Sequence, residues 1–555
     1  MRRGVVRFST TALSVLCLAF LCALPASAQN RRSQPNVAHN PIVHSAIHFD
    51  VSPPLRELVK EVPPQFGFHE AEPVLRPKLQ SLMAAAKRGQ RPVTDGVWQR
   101  YILPQISATL GLNLLGVGTG FPGYTDPDAP TDVNLAVGDT QVVEWVNVSY
   151  AVFDKSTGAV EAGPILGNQF WAGFGGACQL DNDGDIIAQW DKKAHRWFMA
   201  QNVFSSPYMT CVAVSTSPDA MGTYYRFAFP QSNGFPDYPK WGIWRDGYYQ
   251  ANNDFYGING FGAQPCAYDR TKMLAGDSSA KQICFYAPTT FDDSMLPADI
   301  DSDLLPNAGQ PEVYVGSIDN FGSSGSTIYE YLFHADFVNP TNSTFTGFGG
   351  TLPLPVSTYN LACGGFAACI QQKGITDLLD SLGDRLMYRL AYRNWKVGTV
   401  GFQQFLFSHS VTAPGGQVGE RWYEFRAPEN TSNLHVFQQA TFAPDSNHRW
   451  MGSIASDKMD NLLLGYSVSS STMYPTVAYT GRLRTDPINT MESEATIFAG
   501  TGSQPDTSNR WGDYTSMAID DGDGCTFWYT NQYYTVTASF DWSTRLASVK
   551  FPTCH

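Results

Sequence analysis

Cationic side chains and carboxylates recur in this sequence just ahead of apolar runs, often with a tyrosine beside them. Lys240 follows Tyr238, Arg385 and Arg389 bracket Tyr388, Arg449 precedes Trp450, and Arg510 stands shortly before Tyr514. Guanidinium groups grip carboxylates with two parallel hydrogen bonds, so convergence of Lys240, Arg389, Arg449 and Arg510 would create a substrate-binding site for an anionic group. Asp237, Glu424, Asp513 and Tyr514 lie in or near the same stretches and are the candidate catalytic acids and bases. Cleavage of a glycosidic bond needs two carboxyl groups, ~5 Å apart for retention and ~6.5 to 9.5 Å apart for inversion. The competing reading is structural, an arginine bridging to an aspartate of the neighbouring sheet.

A second constellation is Asp181-Asn182-Asp183-Gly184-Asp185. Alternate oxygen-bearing side chains on a glycine-bent turn suit a hard cation, so Asp181, Asp183 and Asp185 are the candidate ligands of a calcium ion, the one cofactor expected. The twelfth position from Asp181 is Lys192, which excludes an EF-hand. A plain aspartate-capped turn is the alternative. No G-x-S-x-G, HExxH or phosphate-loop pattern occurs, so serine esterase, zincin and nucleotide hydrolase readings have no support.

The elements that must hold these residues are best seen in Arg510 to Tyr534. Strand formers flank Asp520-Asp521-Gly522-Asp523-Gly524, the pattern of a β-hairpin. The order repeats in Arg449 to Ser470 and Tyr238 to Asn253, and more faintly around Arg385 and Asp185. Repeated all-strand units of several tens of residues predict a β-propeller, because one small sheet cannot bury its own faces. Seven blades are expected, near 132–168, 180–230, 236–290, 310–356, 384–440, 448–500 and 508–552, with six as the alternative. Phe291 to Pro306 reads as an acidic surface loop and Thr351 to Asp384 as a long insertion. In a propeller the first strand of each blade lines the central channel, which would bring the basic blade openings together.

Pro130-Thr-Asp-Val-Asn-Leu-Ala-Val-Gly-Asp139, Val142 to Asn147 and Phe153-Asp-Lys-Ser-Thr-Gly158, with the RWGDY segment at Arg510, resemble a family of secreted bacterial β-propeller-like proteins of uncharacterised function. The resemblance implies the fold and export, and no catalytic residues. The turn at Asp520 to Gly524 with Trp528 behind it loosely resembles the Asp-box hairpin of sialidase-type propellers, where the box is structural.

Met1 to Ala28 has a basic start, an apolar centre and Ala26-Ser27-Ala28, which predicts a cleaved signal peptide and a secreted, periplasmic or extracellular protein. Residues 29–123 read as an N-terminal extension with one short helix at Val74 to Lys87, and 124–555 as the propeller. Eight cysteines then remain, in sequence-local couples Cys178–Cys211, Cys266–Cys284, Cys363–Cys369 and Cys525–Cys554; locality suggests these disulfides among the 105 pairings eight cysteines allow. Aromatics at 13% with only 16% charged residues favour packed strands over long helices. The formal charge is −13, or −16 without the leader, so nucleic acid is not an expected partner. Nothing after the leader is long and apolar enough to insert in a membrane. The functional expectation is a monomer acting on an acidic glycan or polysaccharide as a hydrolase or lyase, with a non-catalytic glycan- or protein-binding propeller as the alternative.

Overall fold

Arg510 to Tyr534 folds as its pattern requires. Ser516–Ile519 pairs antiparallel with Thr526–Tyr533, Ile519 opposite Phe527, and the Asp/Gly stretch makes the turn. Asp523 caps that turn: it accepts from the amides of Cys525 (2.8 Å) and Thr526 (2.9 Å) and from Lys550 Nζ (2.9 Å). These bonds hold its carboxyl down at about 2 against the effect of burial.

The computed structural model describes residues 1, 34–61, 92–103, 106–125, 130–231, 234–256, 260–287, 292–317, 324–365, 368–398, 400–429, 431–505 and 508–555. The leader after Met1, the helical patch Val74 to Lys87 and His69 lie outside the described residues.

From Asn134 onward the chain lays down consecutive antiparallel meanders. The first unit runs Asn134–Val137, Gln141–Val146, Ser149–Asp154 and Val160–Leu166. The second opens with Ile187–Asp191 and closes with Tyr224–Pro230; the third opens with Phe235–Ile243 and closes with Lys281–Cys284. The fourth begins at Leu296–Ile300, the fifth at Met387–Val397, the sixth at His448–Ser456 and the seventh at Ser516–Ile519. Opening strands are buried on both faces, and each packs against the next, the seventh returning to the first. The result is a ring of first strands with a propeller-like arrangement of sheets. Gly242 sits where two such strands press together: a Cβ there would lie 2.3 Å from the carbonyl oxygen of Ala298.

Three expectations are corrected. Phe291 to Pro306 is no surface loop, because Leu296–Ile300 is the opening strand of the fourth unit; its proline and short length mask the strand signal. The fourth and fifth units are not separate sheets. Ala298 pairs in parallel with Leu390, and Pro353–Leu361, inside the expected insertion, pairs with both Ser324–His334 and Val400–Thr412. The segment before residue 124 is no separate extension. Val37–Ala38, Ile42–Ser45 and His48–Val51 each add an edge strand, to the fourth, third and second units in turn. Thr109–Leu115 supplies the outer strand of the seventh unit by pairing with Ser543–Lys550. Among the described residues before 124 there is a helix at Leu55–Glu61.

Disulfides join Cys178–Cys211, Cys266–Cys284, Cys363–Cys369 and Cys525–Cys554. Trp241, Trp244, Tyr248 and Tyr249 are buried and fill the space between sheets. Among the described residues no helix is long and apolar enough to cross a membrane.

Candidate functional site

The chain turns sharply as it enters the ring. Asp132 (φ 47°), Asp185 (53°), Tyr238 (53°), Ser294 (44°), Met451 (56°) and Asp513 (56°) adopt left-handed backbone at or just before the opening strands of the first, second, third, fourth, sixth and seventh units. Such a conformation costs a non-glycine residue ~1 kcal/mol or more, and aspartate tolerates it better than most. The consequence is that aspartates of the first, second and seventh units meet at one end of the ring.

At their centre is Lys240, which is completely buried. Its Nζ lies 3.4 Å from the ring centroid of Tyr238 and 3.9 Å from that of Tyr514, so two aromatic faces sandwich the ammonium. Burial pushes this amine down to about 8, while the charges of Asp185, Asp132 and Asp513 hold it up. Asp185 accepts from the Tyr238 amide at 3.0 Å. Arg510 clamps Asp513 with two contacts, Nη2 to Oδ2 at 2.5 Å and Nε to Oδ1 at 3.2 Å. Arg385 stacks over Tyr238, its Cζ 4.6 Å from the centroid, and pairs with Asp384 at 2.9 Å.

Burial raises the Asp237 carboxyl to about 7, and the charges of Asp185 and Asp513 push the same way against Arg385 and Arg510. Asp185 is likewise raised by burial, and Asp380 is raised to about 6 by burial and then by Asp384 and Asp513. The site therefore holds a carboxyl, Asp237, raised to the neutral range by burial beside Asp513, which is gripped by the Arg510 guanidinium. Asp237, Lys240, Arg510 and Asp513 are each no more than 9% exposed. The segment leading to the fifth unit covers them: Asp380 N donates to Asn509 O (2.8 Å), and Gln372 exchanges hydrogen bonds with the backbone of Gln504.

The structure thus brings together Asp237, Asp513, Tyr514, Lys240 and Arg510, and adds Asp185 to them. It does not bring Glu424, Arg389 or Arg449, each of which is committed elsewhere. Glu424 lies on a later strand of the fifth unit, bound to Arg426 and Gln438 at 2.5 Å each. Arg389 sits farther along the channel, paired with Asp299 (2.9 Å) and Asp301, where it helps line a small recess. Arg449 is held by Asp445 (2.8 Å) and Glu494 (2.7 Å).

The calcium expectation at Asp181, Asp183 and Asp185 meets a similar obstacle. Asp181 accepts from Ser205 (2.5 Å), Asp183 from the Phe204 amide (2.9 Å), and Asp185 faces Lys240. Among the described residues the histidine and carboxylate ligand atoms that gather within 4.8 Å in threes are those of Asp139, His195 and Asp521, at the opposite ends of the opening strands. Sequence reasoning passed over Asp132, Asp380 and Asp384. Asp132 could have been found from the aspartates just ahead of opening strands in Thr-Asp132, Gly-Asp185 and Gly-Asp513.

No protein-family model matches the chain, and no curated protein matches it. Solved structures that the chain matches include Drosophila Plexin A in complex with Semaphorin 1b, 7% identical, covering 82% of this chain and 88% of that one with a TM-score of 0.32. The Hadza microbial sialidase Hz136 is 10% identical, covering 78% and 76%, with a TM-score of 0.34. A polysaccharide lyase, ulvan lyase bound to -[GlcA(1-4)Rha3S]-, is 11% identical, covering 79% and 95%, with a TM-score of 0.32. At these values no residue role passes from them to this chain.

Proposed function

We propose that the protein is an exported seven-bladed β-propeller that hydrolyses glycans at the cluster around Lys240. Asp237 is the acid that protonates the leaving oxygen, and Asp513, clamped by Arg510, is its partner. The observation that carries this reading is the pairing, in one cluster, of a carboxyl that keeps its proton to about 7 with a carboxylate clamped by Arg510. Glycoside cleavage asks for that division of labour between two carboxyl groups. Tyr238 and Tyr514 fix Lys240, whose charge with that of Arg510 keeps the surrounding carboxylates in place. The carboxyls of Asp132, Asp185, Asp237, Asp380, Asp384 and Asp513 outnumber the cations Lys240, Arg385 and Arg510. That balance favours hydrolysis over elimination, which needs surplus positive charge to neutralise a uronate. The closed ring of opening strands supports a count of seven blades, and the leader pattern and four disulfides support export.

A second reading, a non-catalytic propeller that binds glycan or protein, is favoured by the burial of the cluster, which leaves a substrate to reach it only after the covering segment moves. The chain from residue 29 onward, assayed on neutral and acidic polysaccharides for new reducing ends and for unsaturated products, separates the two. Reducing ends without ultraviolet absorbance, lost in Asp237→Asn and Asp513→Asn, support the hydrolase. Unsaturated products, or turnover untouched by both substitutions, overturn the assignment; no turnover by the folded protein supports the binding reading.

A further inference from the structure

The first hairpin turns of three neighbouring units meet at the ends of the opening strands opposite the Lys240 cluster. Asp139 stands in the turn between Asn134–Val137 and Gln141–Val146, and His195 in the turn between Ile187–Asp191 and Arg196–Val203. Asp521 stands in the turn between Ser516–Ile519 and Thr526–Tyr533. These are the first, second and seventh units, so the group straddles the place where the ring closes. One imidazole nitrogen and one oxygen from each aspartate lie within 4.8 Å of one another.

Each turn is held in shape by bonds of its own. The Gly138 amide donates to the Gln141 carbonyl (2.9 Å), the Ala194 amide to Asp191 Oδ1 (3.1 Å) and the Gly522 amide to Asp520 Oδ1 (2.9 Å). Lys155 Nζ ties the first turn to the seventh, donating to the Gly138 carbonyl and to Asp520 at 2.8 Å each. With Lys155 spent there, Asp139 and Asp521 face one another without a fixed cation. Among the described residues no lysine or arginine nitrogen lies within 4.0 Å of either carboxylate. The third group is His195, whose Nδ1 is 2.9 and 3.1 Å from the two oxygens of Asp139. Two carboxylates gathered this closely repel, and a bound cation removes the repulsion. An ion reaches them directly, because the side chains of His195 and Asp139 are 53% and 37% exposed.

The donor set selects the ion. Calcium and magnesium take oxygen ligands, whereas an imidazole beside carboxylates suits zinc, which binds nitrogen and carboxylate oxygen at ~2.0 to 2.2 Å. Ligand atoms at that distance from one tetrahedral ion stand ~3.4 Å apart. Side chains already within 4.8 Å, on turns open to solvent, close on it with shifts on the order of 1 Å.

We propose that Asp139, His195 and Asp521 form a zinc site that clips the seventh unit to the first and second, with water in the fourth position. The site is separate from the acid–base cluster and does not rest on the reading of that cluster.

The test is calorimetric titration of the chain from residue 29 with zinc chloride, after dialysis against EDTA and then against chelator-free buffer. One zinc binds per chain, and saturating zinc raises the melting temperature by a few degrees, as an ion held by the folded chain alone must. Asp521→Asn and His195→Asn each weaken binding at least about tenfold, no less than is lost when a residue that merely supports a metal ligand is removed. Asparagine tolerates the left-handed backbone of His195 (φ 51°), and melting in EDTA verifies that both variants keep the fold. Magnesium or calcium at matched concentration leaves the zinc affinity unchanged. Four results overturn the site: no saturable binding at ~0.1 mM zinc, a melting temperature that zinc does not move, wild-type affinity in both variants, or displacement of zinc by magnesium or calcium.

Discussion

Substituting Asp237 by asparagine removes a carboxyl whose titration burial moves into the neutral range. The carboxyl has an ordinary value of 3.8 and is raised to about 7 in the folded chain, burial first and Asp185 second. A group raised on folding contributes stability that is fully present below its unfolded value and is lost as pH climbs through its folded value. Here the window runs from about pH 4 to pH 7. With those two values the contribution of Asp237 falls by roughly 2 to 3 kcal/mol between pH 5 and pH 8. Asparagine has nearly the shape of the protonated acid and does not titrate. The variant should therefore gain on the wild type by about 2 to 3 kcal/mol over that range, whatever other carboxyls contribute to both. Urea unfolding at pH 5, 6, 7 and 8 measures the difference directly. Parallel curves for the two proteins would refute the buried, proton-holding state of Asp237, and with it the acid assigned above.

Lys240→Met strips the cation from among Asp132, Asp185 and Asp513 and should cost about 3 to 5 kcal/mol at neutral pH, read from denaturant midpoints; a loss under 1 kcal/mol would mean the ammonium is not the centre of the cluster. A chain starting at residue 52 lacks three edge strands and the partner of Arg226, which Asp50 holds at 2.6 and 2.9 Å. It should melt several degrees lower and self-associate by light scattering, since the uncovered outer strands are templates for pairing. Melting with and without EDTA tests calcium at Asp181, Asp183 and Asp185: a fall of several degrees that disappears in Asp181→Asn places the ion at that turn, and an unchanged curve, or a fall that survives this substitution, removes it from there.

The hairpin at Arg510, the recurrence of its pattern and the sequence-local cysteine couples were legible because each is a short-range signal. Alternation, turn chemistry and spacing all lie within about thirty residues. The fourth opening strand was not, since Leu-Pro-Ala-Asp-Ile carries a proline and two flanking aspartates, and its identity comes from pairing with Leu390. The same limit governed the site. Asp513 and Arg510 are three residues apart and could be paired by eye, whereas Arg389 and Asp301 meet across 88 residues. Arg449 looked equivalent to Arg510 in sequence, yet Glu494 and Asp445 occupy it. Asp132 shares with Asp185 and Asp513 a legible place just ahead of an opening strand, but its meeting with Lys240 is set by the closed ring.

The strand Thr109–Leu115 has a consequence for how this molecule can be made and altered. It completes the sheet whose other members lie between Ser516 and Lys550, with Arg545 opposite Leu115. The seam is sealed further by Glu144, which takes the amide of Val117 at 2.6 Å and the Thr530 hydroxyl at 2.5 Å. Bringing together segments more than 400 residues apart is a slow step, and until it happens the seventh unit has an open edge. A truncated or stalled chain is thus a sticky fragment and not a smaller working version. For the same reason the repeat can be lengthened or shortened by whole units only from within, because Thr109–Leu115 and Ser543–Lys550 are already spent on one another.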